Sequence, residues 1–329
     1  MQETPGVVIA ESRLGELHVV LGGTGGAGAS VVRELAANGK RVRAASRRRH
    51  NDPEVEWVVL DARQADDVKR ACAGASVVYH CANVPYRDWE AQLPVIADAV
   101  IAAAAAAGAT LVVMDNLYMY GPVDGPMTEA TPRRPVGHKG RLRSELEKKY
   151  LSAHRSGTVR LTIGRASDFY GAFGLSAPLA LAIDPMLQGK RASWIANLDA
   201  PHTLSYLPDV ARGLITLGER SEALGQIWHI PAAEPLTGRQ FITMAAEAIG
   251  RHAEMSRITL PMMWLAGLFD AQIREATEVY YQFAKPFVID AAKFTNAFGG
   301  HVTAHREAIP VTVEERRRRP AGSSQRGAE

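Results

Sequence analysis

Leu17-His18-Val19-Val20-Leu21-Gly22-Gly23-Thr24-Gly25-Gly26-Ala27-Gly28, continued by the alanine-rich stretch Ala29 to Ala37, decides how this chain is read. A short, mainly apolar strand runs into five glycines within seven positions, and the helix-forming segment after them stops at Asn38-Gly39. A glycine-rich turn between strand and helix lets the backbone approach a pyrophosphate, while the free N–H groups and the dipole of the helix start favour negative charge. Gly22, Gly25 and Gly28 have the G-x-x-G-x-x-G spacing, and Thr24, Gly26 and Ala27 complete a loop expected to hold a dinucleotide.

Outward from this unit the pattern repeats. Strands are predicted at Arg41 to Ala45, Val55 to Leu60, Ser76 to His80, Thr110 to Met114 and Val159 to Ile163. Helices are predicted at Ala65 to Ala73, from about Val95 to Ala107, and from about Lys139 to Ser156. Such alternation implies parallel pairing, hence an α/β fold with a Rossmann-type, doubly wound parallel sheet. Prolines at 122, 126, 132 and 135 mark a loop expected to skirt an active site. Thr203 to Leu207 and Gln226 to Ile230 read as returns to the main sheet; Thr237 to Gly250 and Pro261 to Glu278 read as helices of a smaller lobe. The expected organisation is a dinucleotide-binding domain over 16–170 with returns near 203–230. A mixed substrate lobe takes 171–202 and 231–313, and a disordered basic tail takes 314–329.

Composition narrows the partners. With 329 residues, 47% of them hydrophobic, the chain can bury a large core. Of the net charge of +3, residues 314–329 contribute +2, so nothing in the body calls for nucleic acid. The longest unbroken apolar run, Ala99 to Ala107, falls far short of the roughly 20 residues that cross a bilayer. No membrane partner is expected. The N-terminus lacks a basic segment followed by an apolar one, so a cytoplasmic location is expected. Cys72 and Cys81 match no metal or redox spacing and read as reduced thiols; no metal is expected.

Specificity for the adenosine ribose is set at the end of the second strand, which reads Ser46-Arg47-Arg48-Arg49 with no carboxylate before Asp52. A 2′-phosphate wants charge-assisted donors. Ser46 and Arg47 are therefore its expected ligands and NADP the expected cofactor ahead of NAD, with Arg49 merely solvated. Asp61 is placed either to accept from the adenine amino group or to cap the helix that begins near Ala65.

Together with the loop and Asp61, Val78-Tyr79-His80-Cys81-Ala82, Tyr120-Gly121, Arg165-Ala166-Ser167-Asp168-Phe169-Tyr170-Gly171 and Tyr206-Leu207-Pro208-Asp209-Val210-Ala211 carry a resemblance. From Leu17 to about Val313 the chain resembles the extended short-chain dehydrogenase/reductase superfamily, the NAD-dependent epimerase/dehydratase group, in an atypical form. The resemblance implies that Ala62, Cys81, Ala82 and Asn83 also line the cofactor. It further implies an oxidoreductase or epimerase/dehydratase activity on a small hydroxyl or carbonyl compound, in a chain that can pair as a homodimer. That family carries a Ser/Thr after the fifth strand and a Tyr-x-x-x-Lys on the next helix. Here the serine position reads Asn116, and placing the helix by Glu145 puts Gly137 at the tyrosine and Arg141 at the lysine. The alternative is therefore a protein that binds NADP(H) without hydride transfer, as a cofactor sensor or a scaffold for cyclisation or dehydration.

Residues two apart after a strand share a face, so Asn116 and Tyr118 can look into one cleft. Tyr118 is expected either as the relocated acid/base, its pKa lowered by Arg141 or Lys139, or as pocket wall. His202 is the candidate proton-handling histidine. Tyr86, Arg87 and Trp89, on a loop after the fourth strand, and Asp168 and Tyr206 are expected to meet the substrate.

Overall fold

A computed structural model describes residues 15–48, 50 and 52–318. The readings of Arg49, of the N-terminal segment and of the tail from Arg319 onward lie outside the described residues. Seven parallel strands form the central sheet: β1 (Leu17–Leu21), β2 (Arg41–Ser46), β3 (Glu56–Val59), β4 (Val77–His80), β5 (Thr110–Asp115), β6 (Arg160–Arg165) and the strand Ile227–His229. Leu21 stands beside Ala45 on one side and His80 on the other. The spatial order is Ile227–His229, β6, β5, β4, β1, β2, β3. The chain thus grows one way from β1 and restarts on its other side at β4, and the crevice at that switch is where such sheets take ligands.

Alternation along the strands builds two cores. Leu17, Val19 and Leu21 face α2 (Ala65–Cys72), α3 (Trp89–Ala107) and α4 (Gly137–Arg155), while Val20 faces α1 (Gly26–Ala37) and the helix Leu207–Glu219. α3 starts at Trp89, six residues before the expected Val95. Pro94 removes one backbone donor, but buried Trp89, Leu93 and Ile96 hold the first turns in place. With the turn Tyr86–Asp88 before it, this stretch is by length and apolarity alone sufficient to cross a bilayer; it packs between α2 and α4.

Three expectations are corrected. Leu204–Tyr206 pairs with Asp168–Tyr170 in a separate two-stranded sheet, because the free edge of β6 is taken by Ile227–His229. The expected helix over Pro261 to Glu278 breaks at Asp270, whose carboxylate accepts from the Gln272 and Ile273 amides and starts Ala271–Ala276 as a second helix after Leu260–Gly267. Residues 314–318 are the end of the helix His305–Arg318, fastened by Arg316 on Asp184, and not part of a disordered tail. The second lobe packs Ile183, Trp194, Phe241, Met263, Phe283 and Ile309 into its own core.

Candidate active site

Gly22 takes φ +83°, and a Cβ there would lie 2.6 Å from the Ala82 nitrogen, so the ends of β1 and β4 meet at a contact only glycine permits. A Cβ on Gly28 would lie 2.2 Å from the Gly22 carbonyl oxygen. Gly25 differs: it is exposed, it is the N-cap of α1, and its Cβ would meet nothing closer than the Gly22 oxygen at 3.5 Å. The amides of Gly26, Ala27 and Gly28 open the helix without intrahelical acceptors, so open space and N–H donors coincide where a pyrophosphate needs both. Thr24 at the loop tip and Asn83 after β4 are exposed, with Cys81 and Ala82 half-buried between them and the sheet.

At the end of β2, where the sequence places the 2′-phosphate ligands, the picture shifts. Ser46 is buried and donates its hydroxyl to the Arg48 carbonyl at 2.5 Å, so its proton is already committed. Arg47 is exposed and its charge reaches Asp61. Asp61 accepts from the Arg63 amide at 3.0 Å and from Arg63 Nε at 2.9 Å, and the hydrogen bond from Arg63 leads the causes that hold its carboxyl below the usual range. Gln64, not Asp61, is the N-cap of α2. Ala62 sits half-buried beside them.

Past β5, Asn116 Oδ1 accepts from the Tyr118 amide at 3.2 Å and turns the chain into the short helix Tyr118–Tyr120. The Tyr118 hydroxyl lies 2.6 Å from that of Tyr86, and the Tyr118 ring stacks on Trp89 at 5.9 Å. Burial, the first cause, raises the Tyr118 pKa well above its ordinary value, Tyr86 and Asp168 push the same way, and only Arg143 opposes. The expected lowering by Arg141 or Lys139 does not occur. Burial likewise pushes Tyr86 up to about 12. Trp89 is 2% exposed, with its indole N–H donating to the Val84 carbonyl, so it is wall and not a substrate ligand; Arg87 points outward at 57% exposure.

The register of α4 is the main correction. Arg141 and Glu145 face solvent, whereas Lys139, Arg143 and Glu147, four residues apart, share the inward face. Glu147 pairs with buried Arg165 of β6, which fixes the rotation of the helix. Arg143 reaches Asp115 at 3.4 Å and lies over the Trp89 ring at 4.2 Å. Lys139, 3% exposed, meets Glu275 at 2.5 Å and Glu278 at 3.5 Å, and its amide donates to Glu278 at 2.6 Å. Gly137 supplies room for that carboxylate, since a Cβ would overlap Glu278. Arg143, Glu275 and Glu278 were missed in the sequence. The i, i+4 spacing from Lys139 through Arg143 to Glu147 was the available signal for the first; the two glutamates come from the other lobe and left none.

His202 is 2% exposed, stacks on Phe283 at 4.5 Å and bonds Asp168 at 3.0 Å, with its second nitrogen buried and unpartnered. Asp168 is half-buried and its charge acts on both Tyr86 and Tyr118, which joins the pair to the site. Tyr206 instead packs on Tyr170 at 5.4 Å, among Asp209, Arg212 and Arg33, outside this cluster. Both cysteines are free, and burial pushes each thiol up to about 12. Among the described residues, no three of His, Cys, Asp and Glu converge on a metal position.

A profile of the NAD dependent epimerase/dehydratase family matches residues 18–230. No curated relative matches by sequence. Among solved structures, a dTDP-glucose 4,6-dehydratase from Streptomyces venezuelae with NAD and TYD bound is similar at TM-score 0.74 and 19% identity, over 92% of this chain and 97% of that one. A Thermus thermophilus UDP-glucose 4-epimerase in complex with NAD has TM-score 0.73 and 19% identity over 93% and 100%. A Bacillus cereus UDP-glucuronic acid 4-epimerase in complex with NAD has TM-score 0.76 and 15% identity over 91% and 98%.

Proposed function

The chain belongs to the NAD dependent epimerase/dehydratase family and is a nicotinamide-dinucleotide-dependent enzyme, and from that premise we propose that it reduces a ketone, or oxidises the matching alcohol, on a small substrate. The observation that carries this reading is the Tyr86–Tyr118 hydroxyl pair, 2.6 Å apart past the C-terminal end of β5, within the field of Asp168. The open cradle at Gly25 and the first amides of α1 fit a pyrophosphate. When bound, the dinucleotide exchanges a hydride at its nicotinamide carbon. Tyr118, kept protonated by its surroundings, donates to the substrate oxygen, and Tyr86 is the next hydroxyl in line to replace the proton. Because Lys139 and Arg143 face inward on α4 and Arg141 does not, we read them, in place of Gly137 and Arg141, as the counterparts of the family's tyrosine and lysine. Arg143 cannot deprotonate and therefore orients the ribose or the substrate, while Lys139 is already neutralised by two carboxylates. NADP(H) is preferred over NAD(H) because the end of β2 offers Arg47 and no acid; the solved neighbours named above contain NAD, so this preference rests on that segment alone.

Titration of the purified protein with NADPH, followed by a panel of small ketones and keto-sugar nucleotides monitored at the reduced-nicotinamide band, tests the reading. Consumption of the reduced cofactor is expected. Tight binding with no absorbance change for any carbonyl or alcohol would transfer the chain to the class that binds cofactor without redox turnover.

A further inference from the structure

The helix Leu260–Gly267 and the turn after it form an uncharged run of ten residues, Leu260-Pro261-Met262-Met263-Trp264-Leu265-Ala266-Gly267-Leu268-Phe269. In a lobe surrounded by water such a run belongs inside. Only Met263 and Gly267 are buried here, whereas Trp264 is 62% exposed, Leu265 64%, Leu268 72% and Phe269 90%. Of the ten large hydrophobic residues exposed among the described residues, five fall in the eight positions from Met262 to Phe269. Contiguous exposure of that kind marks an interaction surface.

Charge at the rim selects the partner. Arg257, just before the helix, is exposed, and no carboxylate pairs with it among the described residues. At the other end exposed Arg274 donates to the Gly267 carbonyl at 3.4 Å, and a Cβ on Gly267 would lie 3.0 Å from the Arg274 Cα, so this cation sits at the edge of the apolar face. It too has no carboxylate partner among the described residues. Some exposed arginines elsewhere are paired, Arg63 with Asp61, Arg191 with Glu254 and Arg239 with Asp199, while others such as Arg141 and Arg220 stand apart from any apolar face; Arg257 and Arg274 differ in flanking one. The acid nearest the face, Asp270, is committed to the Gln272 and Ile273 amides. The surface is therefore hydrocarbon with two arginines and one amide-bound aspartate at its rim, a net positive edge.

We propose that the Leu260–Phe269 face docks this protein onto an anionic lipid bilayer. An eight-residue helix, about 12 Å long, cannot span the ~30 Å hydrocarbon core, so it lies in the interface plane. Trp264, Leu265, Leu268 and Phe269 enter the boundary between headgroups and acyl chains, with Arg257 and Arg274 among the phosphates. The surface of the candidate site is one helix away: Leu260–Gly267 packs on Ala271–Ala276, which covers the turn Tyr86–Asp88 and carries Glu275 to Lys139.

Sedimentation of the full-length chain with extruded vesicles tests this without any cofactor or turnover, so its outcome is independent of the redox reading. Pelleting with vesicles of equimolar phosphatidylcholine and phosphatidylglycerol is expected. Binding to pure phosphatidylcholine should be weaker by about tenfold or more, since each arginine near an anionic surface is worth a factor of roughly five. The double substitution Leu265→Glu, Phe269→Glu should abolish pelleting, and Arg257→Gln with Arg274→Gln should lower binding to the neutral-vesicle level. All these side chains are exposed, so circular dichroism and thermal melting serve as controls for folding. Absence of pelleting by the unmodified protein overturns the proposal, as does pelleting unchanged in the Glu variant. A concentration-dependent dimer in light scattering that Phe269→Glu dissociates, without vesicle binding, overturns it too, by assigning the face to a second copy.

Discussion

The hydroxyls of Tyr86 and Tyr118 lie 2.6 Å apart, joining the turn before α3 to the end of β5. Neither phenol is set to ionise at neutral pH, since burial raises both. Tyr118→Phe should therefore reduce turnover by about 10²–10⁴-fold with ring packing retained, and Tyr86→Phe by a smaller factor. Steady-state kinetics of ketone reduction measures both. A loss below about tenfold for Tyr118→Phe would leave it as pocket wall and move proton transfer to the Asp168–His202 pair.

Arg143 and Arg141 are two residues apart on α4 and face opposite ways. Arg141→Ala should leave kcat and KM unchanged within about twofold, as for an exposed surface position. Arg143→Ala removes the cation over Trp89 and should cost tenfold or more, roughly 1.4 kcal/mol, with Arg143→Lys recovering part of it. Equal effects of the two alanine variants would show that the observed rotation of α4 does not govern catalysis.

The open space at Gly25 gives a sharp contrast within one loop. Gly25→Val should lower dinucleotide affinity by orders of magnitude while the circular dichroism spectrum and melting temperature stay normal. Gly28→Ala, whose Cβ would sit 2.2 Å from the Gly22 oxygen, should lower the melting temperature as well. Isothermal titration and thermal melts separate the two outcomes.

The proposed NADP preference rests on Arg47. NADPH should bind about tenfold tighter than NADH, a difference of roughly 1.4 kcal/mol, and Arg47→Ala should equalise the two. Equal affinities in the unmodified protein remove the NADP preference and leave the rest of the site assignment untouched.

Buried histidines set the acid side of stability. Burial holds His80 and His229 down to about 4, so between about pH 6.5 and 4 the unfolded chain takes up protons that the folded chain refuses. Their contribution is intact above pH 6.5 and is lost as pH falls toward 4, at up to about 1.4 kcal/mol per pH unit for each histidine. The melting temperature should drop steeply over that range, and His80→Asn should flatten the slope. An unchanged slope in that variant would show that His80 titrates normally in the fold.

What the sequence determined by itself is the local grammar. β1, the glycine turn and α1 are specified by neighbours in the chain: strand alternation, glycines where a Cβ would collide, alanines afterwards. Repetition of that grammar was enough to read a parallel sheet and the Gln226 to Ile230 return. The tertiary structure decided everything that depends on which face meets what. Glu145 and Glu147 look alike in the sequence, yet only Glu147 finds Arg165 across 18 positions, and that ion pair turns Lys139 and Arg143 inward and Arg141 out. Glu275 and Glu278 reach Lys139 across 136 and 139 positions, a pairing without local signature. Leu260 to Phe269 reads as a core helix because apolar residues are normally buried, and only the packed lobe reveals that too few partners remain to cover it. Backbone conformation answers to adjacent residues, whereas helix rotation, ion pairing and exposure answer to residues the chain brings together only on folding.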